Sequence, residues 1–176
     1  MATEVGGFIQ YAGPLSKIPK DSPGFLLFSQ YVAAIDALDR SSQLAIQLQH
    51  ILSHDAVFVT NGGPPVPAAQ VPEMLKMREG MLAEFYHLDD IKVVFMEYED
   101  GRMNLMCETT SVSVFKGDEK REDVKVNELL ILQLAPANDG LGVGGLWVTE
   151  VKTYMDAGPV MTKAKAVREA TRDCVK

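Results

Sequence analysis

Four stretches in the second half of the chain, residues 88–98, 103–115, 124–134 and 146–155, alternate side chains with period two and are rich in Val, Leu, Thr and Phe. The segments between them are short and polar: EDG at 99–101, KGDEKRED at 116–123 and APANDGLGVGG at 135–145. Long strands joined by short links must double back on their neighbours, so these four predict an antiparallel sheet. No regular alternation of strand and helix exists to build a parallel one.

Helical patterns precede the sheet. Ser22 is a candidate N-cap and Pro23 a candidate first helical residue, since its missing N–H would be unpaired there in any case. Phe28, Tyr31, Val32, Ile35 and Leu38 then recur at three- and four-residue spacing, which predicts a helix over about 24–39. Ser41 or Ser42 opens a second, short helix carrying Leu44, Leu48, Ile51 and Leu52. A strand over 56–61 ends at Gly62, Gly63, Pro64 and Pro65. Pro72 and Glu73 open a third helix, over 70–86, whose face is Met74, Leu75, Met81 or Leu82, and Phe85. A last helical stretch follows Pro159, with Val160, Ala164 and Val167 on one side. Residues 1–22, with Gly6, Gly7, Gly13, Pro14 and Pro19, read as an irregular arm, and residues 23–176 as a single domain ending in a C-terminal helix. The class is α+β, with helices packed on one face of a curved antiparallel sheet.

Composition narrows the partners. A net charge of −7 is a poor match for a nucleic-acid backbone or an anionic membrane. No stretch approaches the roughly 20 apolar residues that cross a bilayer, and the N-terminus lacks the basic start and apolar run of a signal peptide. Cys107 and Cys174 are too few for a disulfide framework and stand at no metal-ligand spacing. The expectation is a cytoplasmic protein without nucleic-acid or membrane partners.

Several motifs have plain explanations. Gly140, Gly142 and Gly145 spell G-x-G-x-x-G, but LWVTEVKTYM follows as a strand, whereas a dinucleotide site needs a helix there to receive the pyrophosphate. A hairpin loop is expected. His50 and His54, four apart, could share a helix face, but they lack the glutamate of a metalloprotease motif and have only Asp55 as a third ligand, so no metal is expected. There is no G-x-S-x-G and no P-loop. Any catalysis must come from acid–base groups in a pocket, with no cofactor. The strand 124–132 supplies one. Val124, Val126, Glu128, Leu130 and Leu132 share a face, so a lone carboxylate stands in an apolar row, which is costly unless it is solvated, hydrogen-bonded or used. Glu108 falls on the opposite face of its own strand from Leu105, Cys107, Thr109, Ser111 and Ser113.

The order of four segments resembles the NTF2-like superfamily in its SnoaL-like branch: HDAVFVTNGGP after two helices, the helix leading into FYHLDDIKV, the strand MCETTSVSVF, and the ending LWVTEVKTYMDAGPV. The resemblance spans roughly residues 25–160. It implies a cone-shaped barrel in which a strongly curved sheet wraps around the helices and leaves a deep apolar pocket. Its relatives include polyketide cyclases, ketosteroid isomerases, scytalone dehydratase, limonene epoxide hydrolase and fungal natural-product isomerases. Asn61 matches the water-holding asparagine of the epoxide hydrolases. Thr109, Ser111 and Thr153 stand where those enzymes carry arginine and aspartates, which speaks against epoxide hydrolysis. Glu128 points into the pocket under the same alignment.

The resemblance thus implies a cyclase or isomerase acting on a hydrophobic polyketide- or terpenoid-type intermediate. Glu128 would move the proton, His87 would be the second acid–base group, and Asn61, Thr109 and Ser111 would hydrogen-bond a carbonyl or enolate. Tyr31 and Thr153 would contact substrate. A dehydratase and a non-catalytic binding module are the rivals. A homodimer is expected, burying Val112, Val114, Leu129 and Ile131 between copies.

Overall fold

The four alternating runs form the centre of an eight-stranded curved, unclosed sheet in the computed structural model, which describes residues 5–138 and 141–173. The elements are β1 (Val5–Pro14), α1 (Pro23–Asp36), α2 (Gln43–Ile51), β2 (Leu52–Thr60), β3 (Val66–Pro67), α3 (Val71–Met81), β4 (Leu82–His87), β5 (Asp90–Tyr98), β6 (Met103–Phe115), β7 (Val124–Pro136), β8 (Leu146–Met155) and α4 (Gly158–Asp173). The sheet order is β1-β5-β6-β7-β8-β2-β3, and β4 shares the β5 edge of β6. Strands β5 to β8 are antiparallel neighbours, as their short links require. β2 joins β8 in parallel, a pairing that the short links do not predict.

Helix α1 begins at Pro23 with Ser22 as an extended N-cap, and the Ser42 hydroxyl caps α2 by accepting from the Ala45 N–H at 3.2 Å. The helices lie against the sheet's concave face. Leu27, Phe28 and Ile51 bury there against Val93, Leu105, Leu132 and Leu134. The Phe25 and Phe95 rings meet edge to face with centroids 4.6 Å apart. The buried face of α2 is Ala45, Leu48 and Ile51, while Leu44, expected inside, is exposed.

Three expectations need correction. The arm over 1–22 is not irregular: β1 pairs along the whole of β5, and its glycines and Pro14 are tolerated because an edge strand leaves one side unpaired. Residues 1–4 lie outside the described part. The third helix stops at Met81, and Leu82–His87 pairs with β6 instead, from Leu82 opposite Phe115 to His87 opposite Ser111. Ladder pairing along an edge that β5 leaves open outweighs the continuing helical pattern. Finally, strict alternation in β8 would set Val148 and Val151 on opposite faces, yet both are in the core. The register slips between Gln133 and Leu134, leaving Thr149 as the extra residue, and this bulge reverses the phase.

The β7–β8 connection is a loop followed by strand β8, so its glycines serve backbone geometry. Gly140 lies outside the described residues. Gly142 has φ +75°, and a Cβ there would stand 2.1 Å from the Leu146 carbonyl oxygen; Gly145 has φ +78° with open space around it. Gly145→Ala should therefore cost only the left-handed backbone penalty, about 1–2 kcal/mol. Gly142→Ala should cost clearly more, and urea unfolding of the two variants side by side checks that order.

Candidate functional site

Between α1, α3, α4 and the concave faces of β4, β6, β7 and β8 lies a cavity of about 460 Å³. Phe58, Leu75, Phe85, Val126, Leu130 and Met155 make its wall largely apolar, and Met74, Met81 and Met161 add partly exposed thioethers. A larger and more open groove of about 810 Å³ runs along α2, β2 and the β7–β8 loop. It contains His50 and His54, but His50 belongs to α2 and His54 to β2, so they share no helix face. The His54 and Asp55 side chains there are almost fully exposed, so water supplies their solvation. The smaller cavity is the one that buries ionisable groups.

His87 and Glu128 line it, and Asp36, outside the lining, backs the far side of the His87 ring. The Asp36 side chain is 22 % exposed, that of His87 3 % and that of Glu128 7 %. Asp36 closes α1. Its carboxylate accepts from His87 Nδ1 at 2.5 Å and from the His87 backbone N–H at 3.1 Å. On the other side of the ring, Nε2 stands 3.7 Å from Glu128 Oε2, just beyond hydrogen-bond length. The Ser111 hydroxyl donates to the remaining oxygen, Glu128 Oε1. Period-two alternation aims Glu128 inward between buried Val126 and Leu130, and the β4–β6 register sets His87 directly across from Ser111.

Burial acts to lower the pKa of His87, but hydrogen bonding to Asp36 and the nearby Glu128 carboxylate outweigh it and raise the value to about 9. At neutral pH the ring is an imidazolium between two carboxylates. Tyr31, buried on α1 and lining the cavity, has its hydroxyl pushed up from the ordinary value by burial and by Glu128, so it stays a neutral donor. Burial also pulls the Arg78 guanidinium down, against the opposing pull of Asp36, Tyr31 and Glu128. Cys107 is buried in the core, with its thiol pushed up to about 12 mainly by desolvation, which removes it as a nucleophile; Cys174 is outside the described residues.

Of the residues singled out from sequence, Tyr31, His87, Ser111, Glu128 and Thr153 line this one cavity. Asn61 does not. It follows β2 with φ 51°, donates through Nδ2 to the Met155 carbonyl and accepts through Oδ1 from the Met155 N–H, both at 2.9 Å. That pair of bonds fastens the end of β2 to β8 and leaves the side chain no reach into the cavity. Thr109 is also away from the cavity wall. It is buried opposite Glu128 in the β6–β7 ladder, and its hydroxyl has no hydrogen-bond partner among the described residues. Val112 and Val114, expected between two copies, are already buried within one chain. The pattern gave no notice of Asp36 or Arg78. Asp36 sits in the last turn of α1, where the helix dipole disfavours a carboxylate, and that mismatch was the available signal.

No protein-family model matches the chain, and no curated protein matches it in sequence. Solved structures do match in fold. BvnE pinacolase from Penicillium brevicompactum aligns over 84% of this chain and 94% of its own, with a TM-score of 0.55 and 11% identity. ActVI-ORFA from Streptomyces coelicolor aligns over 76% and 95%, with a TM-score of 0.57 and 13% identity. A type 2 hexachlorocyclohexane dehydrochlorinase, LinA, aligns over 74% and 80%, with a TM-score of 0.51 and 13% identity. The likeness is one of fold, the NTF2-like cone.

The raised pKa of His87 has a consequence for stability. The folded chain holds this proton up to about pH 9, whereas the unfolded chain releases it near 6.5. Its contribution is therefore complete below pH 6.5 and is lost as pH rises through about 9. The urea midpoint should fall across that window, and His87→Gln should flatten the fall.

Proposed function

We propose that this NTF2-like cone is a cofactor-independent acid–base enzyme, a cyclase or isomerase of a bulky, hydrophobic biosynthetic intermediate of the polyketide or terpenoid type. The observation that carries the proposal is the buried His87–Glu128 pair in the wall of an apolar cavity, with Asp36 holding the far side of the His87 ring. A cavity of about 460 Å³ lies within the range of pockets that enclose a small organic molecule. The groups there suit proton transfer. Glu128 is the base, oriented by the Ser111 hydroxyl. His87, protonated near neutrality, is the acid, and Asp36 holds its ring. Tyr31 and Thr153 offer hydroxyls to polar atoms of the substrate, and the Ser111 oxygen, its hydrogen bond donated to Glu128, can still accept from one.

The cycle closes without outside help. Glu128 takes a proton from an activated carbon, and the electron pair shifts toward an adjoining carbonyl. Through a substrate C=C bond conjugated with that enolate, His87 returns a proton at the far carbon, and the C=C bond is left one position over. That leaves a neutral ring and a protonated carboxyl whose nitrogen and oxygen stand 3.7 Å apart, and moving the proton from Glu128 to His87 restores the starting state. The same acid could instead protonate a leaving hydroxyl, which makes a dehydratase the second reading; a fold neighbour named as a dehydrochlorinase supports elimination on this scaffold.

Glu128→Gln keeps the side-chain shape and removes the base. Turnover should fall by about 10²–10⁴-fold while the fold and ligand binding survive. Glu108→Gln is the control: Glu108 pairs with Lys92 at 3.3 Å on the opposite, exposed face, and its loss should leave turnover unchanged. A non-catalytic binder would show no difference between the two variants in any assay of chemical change.

We also propose a homodimer. Met106 and Tyr154 are exposed, and Leu129 and Ile131 half-buried, on the outer face of β6–β8, which the helices do not cover. Light scattering at micromolar concentration should return the mass of two chains, and charged residues introduced together at Leu129 and Ile131 should reduce it to one.

A further inference from the structure

Arg78 is a charge in the cavity wall that the proton-transfer cycle does not use. It follows Val71 and Leu75 on the face of α3 that buries against the cavity, so a guanidinium stands where the helical spacing calls for an apolar side chain. Its Nη2 donates to the Ile35 carbonyl at the end of α1. Its Nε has no acceptor among the described residues. The guanidinium carbon stands 4.2 Å from the centroid of the Phe85 ring, and Phe85 meets the His87 ring edge to face with centroids 5.6 Å apart. The nearest carboxylates of the site, Asp36 and Glu128, are committed to His87. A guanidinium has five N–H donors in a flat fork, and this one is held over an aromatic face beside the acid–base line with much of that capacity unspent.

We propose that Arg78 binds the substrate's carbonyl oxygen and holds it as an enolate forms, which makes the substrate a bulky apolar ketone with an enolisable C–H. This rests on the acid–base reading above and adds the group that reading lacks. When Glu128 removes the proton, the C–H bond breaks, a C=C bond forms, and the electron pair of the C=O bond moves onto oxygen. Where a C=C bond of the substrate is conjugated with that enolate, His87 delivers a proton to its far carbon, the C=O bond re-forms and the C=C bond is left one position over. The negative charge exists on oxygen only in between, and a fixed cation in a water-poor wall is most effective against a charge that develops during the reaction. Of the three residues the resemblance implies for this role, Asn61 and Thr109 are outside the cavity wall and the Ser111 hydroxyl donates its hydrogen bond to Glu128, which leaves Arg78 as the donor free to meet the developing charge.

The test requires no knowledge of the substrate. 4-Nitro-1-naphthol is apolar and bulky, and its naphtholate absorbs in the visible where the neutral form does not. Bound to the wild-type protein, it should ionise at a pH at least one unit below that of the free probe, a ten-fold preference for the anion. Arg78→Met should abolish the depression. If that variant does not fold, Arg78→Gln, which keeps a donor for the Ile35 carbonyl but removes the charge, should do the same. A wholly structural Arg78, needed only to cap α1, would lower the melting temperature of both variants and leave the probe's acidity unchanged, which overturns the proposal. Failure of the probe to bind, or binding without a shift in its acidity, overturns it as well. The measurement needs no turnover. A protein that shifts the naphthol but shows no loss of turnover in Glu128→Gln keeps the anion site and loses the proton-transfer reading; the converse keeps that reading and loses Arg78.

Discussion

The contact between Asp36 and His87 ties together parts of the chain 51 residues apart, and most of what distinguishes this cone as a chemical site follows from it. A buried imidazole next to one carboxylate and within 3.7 Å of another is favoured in its charged form. The carboxylates hold the proton on the ring, and the ring's single positive charge, shared between them, reduces the cost of keeping both beside an apolar wall. Removing the ring would leave two carboxylates facing each other without a counter-charge under the helices, whereas removing one carboxylate leaves a balanced pair. The end of α1, the end of β4 and the middle of β7 are therefore set relative to one another by electrostatics as well as by packing. The Ser111 hydroxyl extends the arrangement to β6.

This dependence explains which parts of the molecule could be read from the chain. Period two and short links carry enough information to specify antiparallel neighbours, so β5 to β8 and the inward aim of Glu128 were legible. Where a partner outside the local pattern decides, the sequence is silent or misleading. Leu82–His87 continues a helical spacing and becomes a strand because β6 offers an open edge. β1 is rich in glycine and becomes a strand because β5 pairs with it throughout. In β8 a single extra residue at Thr149 inverts the faces, which alternation cannot foresee.

The site divides in the same way. Glu128 was found because a charge interrupted an apolar row. Arg78 interrupts a helical row in the same manner, but its long stem can carry a charge to water from a helix flank, so the interruption is ambiguous until the fold places it over Phe85. Asp36 contributes nothing to an apolar periodicity, and only its unfavourable place in the last turn of α1 marks it. Asn61 shows the opposite error. A polar residue at a strand end resembles a ligand group, but here it makes two backbone bonds that secure a parallel strand pair. A side chain whose donor and acceptor are both spent on the fold has little left for a substrate.

The protonation state of His87 decides whether the acid and base have been assigned correctly, and it can be observed directly. An NMR titration of the His87 ring, assigned by comparison with His87→Gln, should give a midpoint near pH 9 in the wild-type protein and a clearly lower one in Asp36→Asn. A wild-type midpoint at or below 6.5 would mean that the ring is neutral at physiological pH, that it cannot serve as the acid, and that the Asp36–His87–Glu128 line does not hold a charged imidazolium between two carboxylates.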